Sequence, residues 1–430
     1  MKVSPAVTQM NSVDLASKTA LVIDNGIFTH IAHNLADDFG TVLYYVPWEN
    51  AFPKSRPALI GSGTDKIQRV REFWSHFDQV DIFVFPDVYF GALQNYLRGI
   101  GKRVFGAGLG EELELNRVGA KRELKKLGLP VGEFTELIGL DALREHLREV
   151  DDKWVKTSRW RGDFETFHHD TYDISAVKLD KIAHDLGPIA DIYRFLVEDP
   201  IEPAIEIGFD GICADGYYND PSLFGIEVKD LGFVGIVKPY DELPEQIRYV
   251  NEKLRPYMRE HQYRGFFSSE LRITPDGKPY LIDPCCRTAS PPGELYCELY
   301  DNLGEIVWYA AEGVAVAPKP LAKYGVEIML HSQWADKHWM PVFYPKEIEE
   351  NVKLRNPGRF GERDYSIPLD YNLPEFGAVI GMGDTLEEAI QEATEKCEEL
   401  RGFDIDPKCE GIQKALVEIE RLEAQGIPFH

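Results

Sequence analysis

Cysteine is scarce in this chain, six residues among 430. None form a C-x-x-C pair, so neither a disulfide scaffold nor a cysteine zinc site is built in. Cys285 and Cys286 are adjacent, and on a strand they point to opposite faces. Long apolar runs are missing too: none approaches the ~18 residues that a membrane-crossing helix needs. Residues 1–5 lack the apolar core of a secretion signal. Positive charge is short, 47 Lys and Arg against 72 Asp and Glu, for a formal net charge of −25. Such an acidic chain repels phosphate backbones, which argues against nucleic-acid binding. The one basic run, Lys121-Arg122-Glu123-Leu124-Lys125-Lys126, falls in a helical pattern and reads as a solvated face. Absent as well are G-x-G-x-x-G after the first strand, the G-x-x-x-x-G-K-[ST] phosphate loop, H-E-x-x-H and G-x-S-x-G. These absences predict a soluble protein of a reducing, cytoplasmic compartment, with no membrane or nucleic-acid partner.

What is present is enough apolar residue, 44% of the chain, to build two or three cores. Residues 20–24, 42–46, 80–85 and 103–106 read as short apolar strands, with helices near 28–38 and 92–98 between them. That alternation predicts a parallel sheet covered on both faces, with its ligand at the carboxyl ends of the strands. A helix is expected over 111–127, stopped by Gly128 and Pro130. Residues 153–284 are rich in strands and turns. Their clearest element is a hairpin, 265–273 and 279–283, around Thr274-Pro275-Asp276-Gly277. Near the end, Thr385 and Glu388 form a capping box for a helix whose apolar face runs through Leu386, Ala389, Ala393 and Cys397. His168, His169, His331 and His338 read as surface or core histidines.

The hairpin carries the chemistry. Glu270 lies on its first strand, Asp283 on its second, and Arg287 follows four residues on. Cross-strand neighbours sit ~5 Å apart. Two carboxylates at that spacing suit a Mg²⁺ ion, which takes one or two protein carboxylates and completes its shell with water and phosphate oxygens. An adjacent arginine could grip a phosphate. An exposed hairpin with a surface ion pair accounts for the spacing equally well.

Glu270, followed by Asp283-Pro284-Cys285-Cys286-Arg287, resembles the metal-site strand pair of the ATP-grasp superfamily, where an acidic strand precedes a Glu-x-Asn-x-Arg run. Residues 89–130, Trp154-Val155-Lys156 and 376–389 resemble further segments of that family in the same order, over roughly 20–402. The likeness is greatest to phosphoribosylamine–glycine ligase-like carboxylate–amine ligases. It implies a mixed α/β and α+β architecture: an N-terminal parallel α/β domain (1–110), a central ATP-grasp module with a lid (111–320) and a small C-terminal α+β domain (321–430). It also implies an ATP-dependent ligase forming a C–N bond through an acyl phosphate, with ATP and Mg²⁺ as cofactors. The partners would be small-molecule carboxylate and amine substrates, and a homo-oligomer is compatible with it. Lys156 would meet the α- or β-phosphate. The backbone of 196–198 would read the adenine edge, with Glu198 or Glu206 near the sugar. Glu270 and Asp283 would hold Mg²⁺, and Arg287 would stabilise the transferred phosphoryl group. Departures from the family pattern cluster around phosphate. The loop after Lys156 has one glycine and no second lysine, leaving Arg159 or Arg161 as its cation, and Arg117 stands where a phosphate-facing lysine is expected. Cys285 replaces asparagine, and a thiol is a poor Mg²⁺ ligand. A carboxylase-like enzyme of this fold, or a nucleotide-binding protein without turnover, are the alternatives.

Overall fold

A computed structural model describes residues 13–46, 59–158, 166–368 and 374–430. Strands Thr19–Ile23, Thr41–Tyr45, Gln68–Val70, Ile82–Val84 and Arg103–Phe105 pair in parallel as the expected N-terminal sheet. Their order places Thr19–Ile23 at the centre, with Thr41–Tyr45 on one side and Ile82–Val84 on the other. The winding direction therefore reverses between Thr19–Ile23 and Ile82–Val84, and the crevice outside their carboxyl ends is where such a sheet accepts a ligand. Leu21, Val22, Phe83 and Val84 are fully buried, as a sheet covered on both faces requires. Gln68–Val70 is too short and too polar to show in the sequence pattern.

The expected helix over 111–127 is broken in two, Glu112–Leu115 and Arg117–Lys126. Asn116 leaves helical geometry (φ −102°, ψ 76°), and its side chain accepts the Gly119 N–H as an N-cap. The break turns Arg117 inward.

Residues 134–198 form an antiparallel four-stranded sheet in the order Phe134–Ile138, Arg194–Glu198, Lys153–Thr157, Thr166–His169. Helices Leu140–Leu147 and Tyr172–Leu186 cover it, around a separate core containing Leu143, Leu147, Val155, Leu179, Phe195 and Val197. This is the lid expected from the resemblance. His168 lies between Asp152 and Asp170, and buried His169 bonds Ser175 and the Val150 carbonyl.

The largest sheet begins Pro279–Cys285, Arg264–Ile273, Ile205–Ala214, Ser222–Val228, Gly232–Lys238 and continues through Tyr324–His331, Glu375–Gly383 and Val352–Leu354. Neighbours along this path are antiparallel. Gly232–Lys238 pairs directly with Tyr324–His331, so residues beyond 320 extend the central sheet. Helix Leu386–Glu399 carries the expected capping box of Thr385 and Glu388.

Candidate functional site

In the hairpin, Leu271 pairs with Leu281 and Arg272 with Tyr280, but Glu270 pairs with Asp283, so Ile282 is an extra residue at a bulge. In unbroken register Glu270 would face Ile282, and Asp283 would point to the opposite side of the sheet. The bulge re-aims it. Both carboxylates therefore come to one face, and the Ile282 carbonyl accepts a hydrogen bond from Lys156 Nζ at 3.1 Å.

The two carboxylates have opposite surroundings. Burial, then Glu206, Glu227 and Asp283, raise Glu270 well above the usual 4.5. Burial also works against ionised Asp283, but Arg117, Lys156 and Arg287 outweigh it and hold this carboxyl below its ordinary value. Arg117, 7% exposed, donates to Asp283 Oδ1 at 2.6 Å. Glu227 is pushed up by its place in the cleft and by Asp210, Glu206 and Asp230, and buried Asp210 rises to about 7 through desolvation. Three acids raised around one lowered one form a group that a divalent cation would neutralise. Among the described residues no group of three or more His, Cys, Asp or Glu side chains is placed to hold a metal ion. An ion held by Glu270 and Asp283, with water and phosphate oxygens, fits that open donor set.

A second cluster closes the other end. Glu198 takes Lys156 at 3.1 Å on Oε2 and Lys121 on Oε1, with all three side chains about nine-tenths buried. Burial opposes the Glu198 charge, yet the two lysines lower its carboxyl below the ordinary value. Burial and Lys156 lower Lys121 despite Glu198. Lys121 thus corrects the reading of 121–126 as a solvated face. Arg122, Lys125 and Lys126 are exposed, while Lys121 falls on the inward side of the helix. Another correction concerns 196–198. Leu196 and Val197 are paired on both sides, with 135–136 and 155–156, so their backbone is committed to the sheet, and the Asp199 N–H still bonds the Glu133 carbonyl at 3.1 Å.

Arg287 is held from behind. Glu114 accepts from Arg287 Nε at 2.8 Å and from the Cys286 N–H at 2.6 Å. Cys285 Sγ donates to the Arg287 carbonyl at 3.7 Å. Glu206, half-buried, lies 3.2 Å from Arg272 Nε. Arg161 falls outside the described residues.

These groups surround a cavity of about 1050 Å³ reaching from the lid (Trp154, Lys156, Glu198) past Glu270 and Asp283 to the N-terminal sheet (Asn25, Asp87, Tyr89). Among the described residues, eleven carboxylates and seven cationic side chains line it. Sequence reasoning missed Lys121, Asp87, Glu227, Arg355 and Glu375. Lys121 and Asp87 could have been found as charges at apolar-face and strand-end positions; the other three carry no local signal.

No family model matches the sequence, and no curated protein matches it. Solved structures do. Phosphoribosylamine–glycine ligase from Thermotoga maritima is similar with a TM-score of 0.68 at 17% identity, over 90% of this chain and 98% of that one. The biotin carboxylase domain dimer of Hydrogenobacter thermophilus 2-oxoglutarate carboxylase, in complex with MgADP, ADP and bicarbonate, gives 0.64 at 12% identity over 95% and 98%. N5-carboxyaminoimidazole ribonucleotide synthetase from Thermotoga maritima gives 0.59 at 16% identity over 90% and 99%. Over nine-tenths of its length the chain has the fold these enzymes share, the ATP-grasp fold.

Proposed function

We propose that this protein is an ATP-dependent carboxylate–amine ligase. The observation that carries the reading is the bulge that brings Glu270 and Asp283 to one face of a cavity whose lid end holds Lys156 and Lys121. The solved structures of the same fold include C–N ligases and a MgADP complex, which supports the same reading.

In it, Glu270 and Asp283 hold Mg²⁺, which when bound offsets phosphate charge. Lys156 and Lys121 meet the phosphates, held ready by Glu198. Glu206 lies toward the sugar, and Arg161 is the cation of the segment that follows Lys156. A substrate carboxylate oxygen attacks the γ-phosphorus and ADP leaves, giving an acyl phosphate. The amine nitrogen then attacks the acyl carbon, phosphate leaves, and the amine gives up a proton. Arg287 faces the transferred group, its planar fork fixed by Glu114. Burial disfavours its charge, but Cys285, Glu114 and Asp87 keep it firmly protonated. Such chemistry asks a protein for positioning and charge neutralisation rather than a nucleophile.

Among the described residues no helix is long and apolar enough to cross a membrane; the reading is of a soluble cytoplasmic enzyme, and a homo-oligomer accords with the dimer of the carboxylase domain. The test is ADP release from Mg²⁺–ATP over panels of carboxylates and amines, with a chelator control. Nucleotide uptake without ADP release from any pair would favour a binding protein, a reading that Cys285 at the asparagine position supports. No uptake at all would refute both.

A further inference from the structure

We infer that the substrate meeting the N-terminal domain is an unphosphorylated compound bearing an ammonium group, recognised by Glu375 and Asp87. The inference rests on the ligase reading and narrows its amine substrate. The place is the crevice where the parallel sheet reverses direction. The loops after Thr19–Ile23 and Ile82–Val84 supply Asn25, Ile27, Asp87 and Tyr89 to the cavity wall.

A phosphate bound at such strand ends needs free backbone N–H groups or uncommitted cations. Among the described residues, the protein's own carboxylates take the Asn25, Phe28 and Val88 N–H groups. Asp24 accepts from the Asn25 N–H at 2.7 Å and the Phe28 N–H at 3.0 Å. Asp87 accepts from the Val88 N–H at 2.9 Å and the Asn25 amide at 3.1 Å. Arg287, the cation beside them, is held through Nε by Glu114, and the ligase reading already assigns it to the transferred phosphoryl group. A phosphate dianion entering here would meet Asp87, which lines the cavity and is itself buried.

An ammonium would meet what it needs. Glu375 lines the cavity with a side chain 9% exposed, and its Oε2 has no hydrogen-bond partner. The nearest cations stand off, Arg355 Nη1 at 3.8 Å from Oε2 and His331 Nε2 at 3.9 Å from Oε1. Arg355 instead donates to Ser290 Oγ at 2.7 Å. A buried carboxylate oxygen without a donor is an acceptor that a ligand N–H completes.

The experiment titrates matched pairs, ethanolamine against phosphoethanolamine and serine against phosphoserine, by calorimetry. The protein is first loaded with Mg²⁺ and a non-hydrolysable ATP analogue. The unphosphorylated member of at least one pair should bind tenfold or more tightly than its partner. Glu375→Gln should weaken that binding at least tenfold and narrow the preference, and Asp87→Asn should act in the same direction should the first variant fail to fold. Preference for the phosphorylated members, binding of neither, or an unchanged affinity in both variants would overturn the inference. Failure of the ATP analogue to bind is read separately and counts against the ligase reading; the pairs are then titrated on the unloaded protein, where the same outcomes decide.

Discussion

Glu270→Gln should stabilise the metal-free protein and remove its response to Mg²⁺ and nucleotide. The charged groups that shift Glu270 most are acids, Glu206, Glu227 and Asp283. A cross-strand carboxylate pair ~5 Å apart repels by about 3 kcal/mol at an effective dielectric constant of 20, and by about 0.8 kcal/mol in water. The Asp283 side chain is 43% exposed, so the screened half of that range applies, about 1–2 kcal/mol. At ~2.1 cal/mol/K per residue, 430 residues unfolding together give about 0.9 kcal/mol/K, and the gain becomes a rise of about 1–2 °C in Tm. Ligand present at a hundred times its Kd adds about 2.7 kcal/mol, or about 3 °C, to the wild type. The variant, lacking half the metal site, should gain almost none of it. The two proteins therefore exchange rank on addition of Mg²⁺ and the ATP analogue.

The pH dependence fixes the cause. Burial and then its acidic neighbours raise the folded Glu270 carboxyl well above 4.5, whereas the unfolded chain titrates near that ordinary value. Folded protein thus keeps a proton that unfolded protein has released, and stability is lost as pH rises from about 4.5 through the folded value. Glutamine loses nothing over that window, so the metal-free advantage of Glu270→Gln must widen as pH rises from about 4.5 towards the folded value. Scanning fluorimetry at several pH values reads both effects. An advantage that shrinks with pH, or an equal ligand-induced shift in both proteins, would refute the reasoning.

Lys156→Ala should weaken binding of the Mg²⁺–ATP analogue at least tenfold by calorimetry; equal affinity would show that this lysine serves only Glu198 and the Ile282 carbonyl. Glu198→Gln leaves Lys121 and Lys156 buried without their countercharge, which costs about 3–5 kcal/mol and should lower Tm by about 3–5 °C on the scale above; a shift below 1 °C would contradict the burial of that triad. Asp24, raised to about 6 by burial despite its bond from Tyr44 and with Asp87 adding to the rise, loses about 3 kcal/mol of folding stability between pH 3.8 and 6. Relative to Asp24→Asn the wild type should therefore lose about 3 °C across that window, and parallel melting curves would exclude the shift.

The parallel strands, the Asp-Gly hairpin and the capping box are legible because each depends on residues close in sequence. Glu270 and Asp283 were placed by the same local pattern, yet their coming to one face depends on a bulge at Ile282 that alternation alone does not reveal. Lys121 was misread because neighbouring charges in a helix suggest a wet face, and only the position of Glu198 in another sheet shows that one of them turns inward. The 196–198 backbone, which the resemblance gives to the adenine, is claimed on both sides by strands near 135 and 155 that are distant in sequence. Asn116 broke an expected helix for a local reason, a side chain that caps Gly119, and that signal was present in the sequence. Arg355 and Glu375 follow from the extension of one sheet past 320, which no short-range pattern encodes.

The charges lining the cavity are not evenly spread, and that spread fixes the order in which its ligands make physical sense. Among the described lining residues seven cations face eleven carboxylic groups, three of them pushed towards the neutral form, and ATP would add further negative charge. The lysines sit at the lid end around Glu198, whereas Glu206, Glu227, Glu270 and Asp210 form an acidic floor. A nucleotide reaching only the lysines gains attraction; one whose phosphates extend over the floor meets repulsion unless a divalent ion comes with it. The metal and the terminal phosphates must then bind as a unit, and by linkage each raises the affinity of the other by the same factor. At the far end the aspartates of the N-terminal loops have already filled the places an anion would use. On the proposed reading the cavity takes anion at the lid, metal in the middle and cation at the sheet.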